Sequence, residues 1–571
     1  MSTYDQARGL PTMGRCGMAA RRQAAFPLER VSYAERSRPG RAGRLVSLGE
    51  VSAGVQAKVT WASALAEAGC LAFLEATASQ AVDRALALCP EAEALLGDGA
   101  LDDLRRLCLS RLADVYERPL VQLALRGAGL AESLSLQMGG EGRAHAMHTL
   151  AEGVRDELAA GADEALRERL TLAPAYELAI ARNFSKATSE FLARLLHHRG
   201  DVSAALLGGR PITRVEGVSA KGADPHRQGR LVMRVDTDAG SFFYKPHDCR
   251  VDGLYGELIG TWQPGCARAA ALVQGEGFAF VERLVPREPA GEEGLRLYWG
   301  NLGRLTALLH GLGSRDITCD NLMCCGELPA VLDLETLLVG EVRFDGEMPV
   351  RDPAAGGLSA RELADSAACT AVLPLRVGGR IVSPLVADNA SGTCLPRMGG
   401  VPVTVRGFER DFSGGFEEGY RHLMGHRDEV LELLGRHGEA VCRQILLNTQ
   451  AYAQARGLLF GPQALHDPSR RDAVLAELNE GYDVFPAELR RAVAEPDAAA
   501  LAEGDIPYYC SRVGSRILFA GDDRPLGELL ARSPLEVAAS RLARLSEDEL
   551  RLELDLIGRC LAAVPSKGGR P

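Results

Sequence analysis

Apolar residues return every three or four positions through the first third of the chain. Leu101, Leu104, Cys108, Leu112 and Val115 have the spacing that turns one helix face into a core. Ala, Leu, Glu and Arg dominate the same stretch, and all four favour helices. A helical region over residues 46–207 follows, without a repeat of 20–50 residues. The period changes near Gly208. Residues 230–236 predict a strand, Thr237-Asp238-Ala239-Gly240 a turn, and residues 241–245 the returning strand. Another strand is expected over 277–285, closed by Pro286, and then Leu302, Leu305, Leu309 and Leu312 mark an amphipathic helix. A short polar loop, a hairpin and a long helical remainder come next. Residues 340–413 are rich in Gly and Pro and predict loops; residues 538–563 predict helix.

Helices, a small sheet and then mostly helices make an α+β chain. A small β-rich lobe before a larger helical lobe is also the order of a protein kinase. The expected architecture is therefore a kinase-like bilobal core, with its small lobe at 208–297 and its large lobe at 298–571. The helical region 46–207 is added in front.

Length and composition narrow this picture. The 571 residues suffice for two or three large units. No run of about 18 apolar residues occurs, so no membrane span is expected. The N-terminus lacks the charged start and apolar core of a secretory signal, and the expected compartment is the cytoplasm. The 14 cysteines are scattered, and Cys70, Cys89, Cys108 and Cys442 sit singly in apolar stretches, as buried free thiols do. A formal net charge of −11 argues against non-specific nucleic-acid binding. Residues 1–45 differ: Arg21, Arg22, Arg30, Arg36, Arg38, Arg41 and Arg44 predict a disordered basic arm.

Candidate chemistry centres on Arg315-Asp316-Ile317-Thr318-Cys319-Asp320-Asn321. In a kinase catalytic loop an Asp is followed five positions later by an Asn, and a second Asp lies beyond a hairpin. Asp316, Asn321 and Asp333 have that spacing, with the Gly326-Glu327 turn between two apolar strands. One carboxylate must accept the proton of the attacking hydroxyl, while an Asn and another carboxylate hold magnesium against the triphosphate of ATP. Lys245 ends a strand upstream, where a kinase keeps the lysine that grips the α- and β-phosphates. Glu257, twelve residues on in a predicted helix, is its candidate partner. Each feature alone is common; Asp-x-x-x-x-Asn by itself means little, and a strand-end lysine is usually structural. The ordered combination is what points to phosphoryl transfer. Cys319, Cys324 and Cys325 have no usual zinc spacing, and the last two are read as hairpin residues.

Asp316-x-x-x-x-Asn321 followed by Pro329-Ala330-Val331-Leu332-Asp333-Leu334-Glu335-Thr336 resembles the catalytic segment of the class II lanthipeptide (type 2 lantibiotic) synthetases. Four more segments match that family in order. They are Asp224-Pro225-His226-Arg227-Gln228-Gly229-Arg230, Tyr244-Lys245-Pro246, Arg443 to Tyr452, and Gly504-Asp505-Ile506-Pro507-Tyr508-Tyr509. The resemblance covers roughly residues 192–563 and is to the dehydratase domain. It implies ATP-dependent dehydration of Ser and Thr in a ribosomal precursor peptide, leader plus core, by phosphorylation and then phosphate elimination. By this resemblance Asp316 is the base, Lys245 holds the nucleotide phosphates, and Asn321 and Asp333 hold Mg2+. Asp224 and His226 lie on a loop over the phosphates, and Arg443 and Thr449 serve elimination. A guanidinium suits a departing phosphate because it grips it in a bidentate way.

Two positions depart from the family. Thr318 stands where a His usually follows the catalytic Asp, and Leu447 where a second Arg is usual. Arg443 and Thr449 lie six apart, so on one straight helix they would point about 120° apart; without the resemblance Arg443 reads as a surface helical arginine. After His466 only Cys510 and Cys560 remain as zinc-type ligands, so the family's C-terminal cyclase domain is expected to be absent and a separate cyclase becomes an expected partner. Two other readings stay open: a peptide or small-molecule kinase without elimination, and a non-catalytic scaffold that binds the precursor.

Overall fold

Helices lead, as the three-and-four spacing predicts. In the computed structural model, α1 (Trp61–Glu67), α2 (Ala72–Leu88), α3 (Asp98–Gly127), α4 (Leu130–Met138), α5 (Gly140–Glu157), α6 (Asp163–Arg169) and α7 (Ala173–Leu206) precede the first strand. The structure describes residues 60–564, apart from 139, 221, 264, 346–351, 354–363, 378–379, 388, 390 and 522. The basic arm expected over 1–45 lies outside the described residues. On α3, Leu104, Cys108, Leu112 and Val115 are fully buried, as their spacing requires.

The sheet that follows is antiparallel and five-stranded, in the order β1-β2-β3-β5-β4. Its strands are β1 (Val215–Ser219), β2 (Met233–Thr237), β3 (Gly240–Lys245), β4 (Leu272–Gly275) and β5 (Phe278–Glu282). Helix α8 (Arg250–Thr261) lies between β3 and β4 in the chain. Successive strand residues face opposite ways. Phe242 and Tyr244 thus enter one apolar core with α2, α3 and α7, while Phe243 packs with Cys249, Ala279 and Val281 on the other face. Lys245 shares that second face with Phe243.

A second core joins α8, α9 (Gly291–Leu312) and the helices Glu409–Gly425, Pro534–Arg544 and Glu547–Ala562. Helix α9 crosses Glu409–Gly425 at glycine. A Cβ on Gly303 would sit 2.1 Å from the Phe412 carbonyl oxygen, and one on Gly415 would sit 1.9 Å from that of Gly300. Two separate helices occupy the stretch expected as one over 538–563. They break at Leu545 and Ser546, where the Ser546 hydroxyl accepts the Glu549 N–H at 3.2 Å.

The expected helical remainder also contains a four-stranded sheet. It pairs Val441–Arg443, Tyr509–Arg512, Leu518–Ala520 and Arg524–Gly527 in that order. Strands of three or four residues are too short to show a period of two. Among the described residues, no helix is long and apolar enough to cross a membrane.

Candidate active site

Helix α9 ends on Gly313 in the left-handed conformation, φ 76°, and its N–H closes on the Leu309 and His310 carbonyls. The chain then runs beside 336–337. Ser314 Oγ donates to the Leu337 carbonyl at 2.6 Å, Arg315 N–H to Thr336 O at 3.1 Å, and Thr336 Oγ1 back to Arg315 O at 2.7 Å. Asp316 follows at φ 60°, a left-handed conformation that a non-glycine residue adopts at a cost. Asn321 Nδ2 holds its carbonyl at 2.8 Å.

The predicted hairpin is present as β6 (Leu322–Cys325) and β7 (Leu328–Val331), with Leu322 opposite Val331. That register puts Asn321 beside Leu332, whose N–H donates to the Asn321 carbonyl at 2.9 Å, and so brings the Asn321 and Asp333 segments together. Cys324 and Cys325 lie in β6, as hairpin residues.

Lys245, at the end of β3, is buried. Its ammonium donates to Asp252 Oδ1 and to the Leu332 carbonyl, each at 3.0 Å. The lysine is thereby tied to the residue before Asp333. Glu257 is not its partner. Asp252 is in the first turn of α8, whereas Glu257, five residues on, points elsewhere, is exposed and meets His437 at 3.2 Å.

Asp333 Oδ1 accepts the Glu335 N–H at 3.1 Å. Burial, then the Glu335 charge, raises the Asp333 carboxyl above its usual range, against the pull of Lys245. Glu335 behaves oppositely. Burial acts to raise it, but His247, Arg443 and His226 together hold it below its usual range. His247 Nε2 lies 3.8 Å from Glu335 Oε1, and Arg443 Nη1 lies 4.0 Å from Oε2. Both are too long for hydrogen bonds. Among the described residues, neither His247 Nε2 nor Glu335 Oε2, both buried, has a hydrogen-bond partner.

Arg443 belongs to the strand Val441–Arg443, not to a helix, and pairs with Cys510. Its N–H donates to the Glu335 carbonyl at 2.7 Å, and its guanidinium lies 5.2 Å from the Tyr508 ring centroid. Its charge is reinforced by Glu335, Tyr508, Asp333 and Asp316, against burial. Arg443 therefore shares one charge cluster with Glu335, Asp333 and Asp316. Thr449 opens the helix Thr449–Leu459, which Asn448 caps by accepting the Gln450 N–H at 3.0 Å. Arg443 and Thr449 thus lie on different elements, and the 120° separation of a common helix does not apply. Among the described residues no hydrogen bond links them. Leu447 packs against the apolar cluster of Leu446, Tyr452 and Tyr482.

His226 is reached by a loop before β2. Its Nδ1 lies 2.8 Å from the Ile506 carbonyl, which can only accept, so Nδ1 carries the proton and Nε2 a lone pair. Burial, then Arg443, lowers its pKa to about 3. Asp224, two residues earlier, is exposed. Sequence reasoning missed Asp252, His247 and Tyr508. Of these, only Tyr508 lay inside a segment already singled out, Gly504 to Tyr509; His247 stands just past another, two positions after Lys245.

Residues 177–390 and 386–512 match the family model described as "Domain of unknown function (DUF4135)", more than half of the chain, and the protein belongs to that family. It is 20% identical over 386 residues to the lacticin 481/lactococcin biosynthesis protein LcnDR2 of Lactococcus lactis subsp. lactis. The match covers 58% of this chain and 39% of that protein, so the chain spans well under half of its relative's length. The chain is thus related to a lantibiotic biosynthesis protein, which is the coarse part of the resemblance read in its motifs.

Proposed function

We propose that this protein dehydrates Ser and Thr in a ribosomal precursor peptide, first phosphorylating the hydroxyl with ATP and then eliminating the phosphate. The observation that carries the reading is the single charge cluster in which Lys245, Asp333, Glu335 and Arg443 meet. A buried guanidinium beside the Asp333 segment can hold a phosphate in a bidentate way, as elimination requires. The reading takes the five-stranded sheet with α8 as the small lobe of a kinase-like core, and α9 with the later helices as the large lobe.

In this scheme Asp316 accepts the proton of the Ser or Thr hydroxyl, whose oxygen attacks the γ-phosphorus of ATP as the bond to the bridging oxygen breaks and ADP leaves with its electron pair. Lys245 balances the α- and β-phosphates. Asn321 and Asp333 fit magnesium: both offer oxygen, and a cation beside Asp333 would favour the carboxylate that burial and Glu335 disfavour. Among the described residues no three His, Cys, Asp or Glu side chains form a metal-holding group. Two protein ligands plus phosphate oxygens is a usual magnesium set. The ion would neutralise charge on the phosphate oxygens.

In the second step a general base takes the Cα proton, the C–H electron pair becomes the Cα=Cβ bond, the Cβ–O bond breaks, and phosphate departs with that bond's electron pair. Arg443 stabilises that leaving group. Burial and the Arg443 charge lower the pKa of His226, so its ring is neutral at rest. A phosphoryl dianion beside it favours the protonated ring, so His226 completes the phosphate receptacle with Arg443. Thr449 and Asp224 act at its margin. Leu447 faces an apolar cluster, so Arg443 works here without a second arginine at that place. A separate cyclase would use the dehydrated product.

Incubation of a Ser/Thr precursor peptide with ATP and magnesium tests the reading by mass spectrometry. Loss of water is expected; gain of phosphate alone would leave only a kinase, and no change a scaffold. Asp316→Asn should slow phosphorylation by about 10²–10⁴-fold, the usual share of general-base catalysis. Near-normal turnover in that variant would overturn the assignment.

A further inference from the structure

The loop that carries His226 has a backbone that L residues seldom adopt. Arg227, Gln228 and Gly229 are consecutive at φ 51°, 66° and 75°. In this region the Cβ of a non-glycine residue crowds the backbone carbonyl, so something must hold Arg227 and Gln228 there. Successive amides in such a turn form a concavity that suits an anion, and the anion present is Asp505. Its Oδ2 accepts the Gly229 N–H at 2.7 Å.

Asp505 is almost wholly buried, 1% exposed. Its counter-charge comes from a helix far earlier in the chain. Arg111 on α3, itself buried, lies 3.5 Å from Asp505 Oδ1 and donates to the Gly504 carbonyl at 3.1 Å. Burial nevertheless pushes the Asp505 carboxyl up to about 6, against Arg111 and the Gly229 N–H. The next residue completes the clamp. Ile506 N–H donates to Pro225 O at 2.8 Å, and Ile506 O accepts from His226 Nδ1. One short segment, 504–506, thus fixes the left-handed turn and the imidazole together. Helix α7 supports the loop from behind: Lys186 Nζ reaches Gln228 Oε1 at 3.0 Å, and Glu190 meets Arg230 at 2.9 Å.

We propose that Asp505 is a positioning residue for His226: it holds the left-handed turn at 227–229 so that the imidazole stays beside Arg443, and Arg111 makes the helical region before the sheet a working part of the second step. The proposal rests on the reading of His226 as a group that receives the departing phosphate. It assigns to α3 and α7 a role in elimination and none in phosphorylation.

The test uses the full chain, a synthetic Ser-containing precursor peptide and the same peptide carrying phosphoserine. Asp505→Asn should lower phosphate release from the phosphoserine peptide about 10²-fold, the scale of a catalytic group displaced by an ångström. Phosphorylation of the Ser peptide should stay near the wild-type rate. In a His226→Ala background Asp505→Asn should cost nothing further, because both act through one group. Asn at 505 removes one of the two carboxylates that balance the buried Arg111, the other being Asp114, which itself threatens folding. Gly229→Ala is the second variant: it keeps the Arg111–Asp505 pair but puts a side chain at φ 75°, 3.2 Å from Asn183 Cβ. It should show the same step-specific loss. Equal loss in both steps, or an undiminished effect of Asp505→Asn without His226, would overturn the proposal. Hydrogen exchange across 224–230 separates it from the reading beneath it. Should wild type convert neither peptide, the elimination reading falls; faster exchange at Gly229 in Asp505→Asn would still support the clamp, and unchanged exchange would refute it.

Discussion

Replacing Lys245 by Met tests whether that ion pair is architecture or machinery. The ammonium is 3.0 Å from Asp252 Oδ1, and the two side chains are only 10% and 11% exposed. Asp333 adds negative charge nearby, enough to help raise the lysine's pKa above its usual value against burial. Lys245→Met keeps the stem and deletes the charge, leaving Asp252 buried and facing Asp333 without relief. Removing one partner of a buried pair costs about 3–5 kcal/mol, whereas removing both is often nearly neutral. Urea unfolding at pH 7 without nucleotide should therefore show a loss of about 3–5 kcal/mol in Lys245→Met. Most of it should return in Lys245→Met/Asp252→Asn. Phosphoryl transfer from ATP to a Ser peptide should vanish in both, because the double variant restores stability but not a group for the α- and β-phosphates. A double variant that transfers phosphate like wild type would refute the reasoning. Lys245 would then be a strand-end lysine in a structural pair, and nothing more.

Two further predictions concern stability. Asp497 is buried and accepts from Tyr482 at 2.7 Å and from Tyr509, yet burial outweighs these donors and pushes its pKa up to about 7. A folded-state pKa above the unfolded value of about 3.9 means stability is full below that value and is lost as pH rises through 7. The loss is about 4 kcal/mol at most. Asp497→Asn should flatten the fall of Tm between about pH 4 and 7, with Glu553, also raised to about 7 by burial, keeping part of the slope; an unchanged slope would contradict the assignment. Gly303→Ala forces a Cβ to 2.1 Å from the Phe412 carbonyl oxygen and should cost about 1–3 kcal/mol or more in thermal unfolding. Gly300→Ala on the same helix, 3.7 Å from the nearest atom, should be neutral or stabilising by up to about 1 kcal/mol; equal effects would mean that the crossing is looser than described.

What the sequence made legible was local. The β2–β3 turn, α9 and the β6–β7 hairpin each carry a period or turn signal within about a dozen residues, and the hairpin delivers Asn321 to Asp333. Arg443 was misread because its strand has three residues and is defined by pairing with Cys510, far along the chain. Asp252 was passed over for Glu257 because spacing along α8 does not show which face turns to β3. Asp505 stood inside a recognised segment, but its use depends on Arg111, which lies 394 positions earlier (505 minus 111). Contacts that close over such separations leave no trace in a periodic pattern. The left-handed turn at Arg227 and Gln228 breaks local preference outright, as loops that position functional groups often do.

The account's central claim is that one site first adds phosphate and then removes it, with Arg443 needed only for removal. Mass spectrometry of the precursor peptide after incubation with Arg443→Ala, ATP and magnesium tests this most directly. Loss of one guanidinium contact to the leaving phosphate should cost about 2–4 kcal/mol of transition-state stabilisation, comparable to one oxyanion-hole donor. Elimination then becomes the slow step. The account predicts that Arg443→Ala accumulates peptide heavier by phosphate, which wild type does not. Fully dehydrated peptide at the wild-type rate would contradict it.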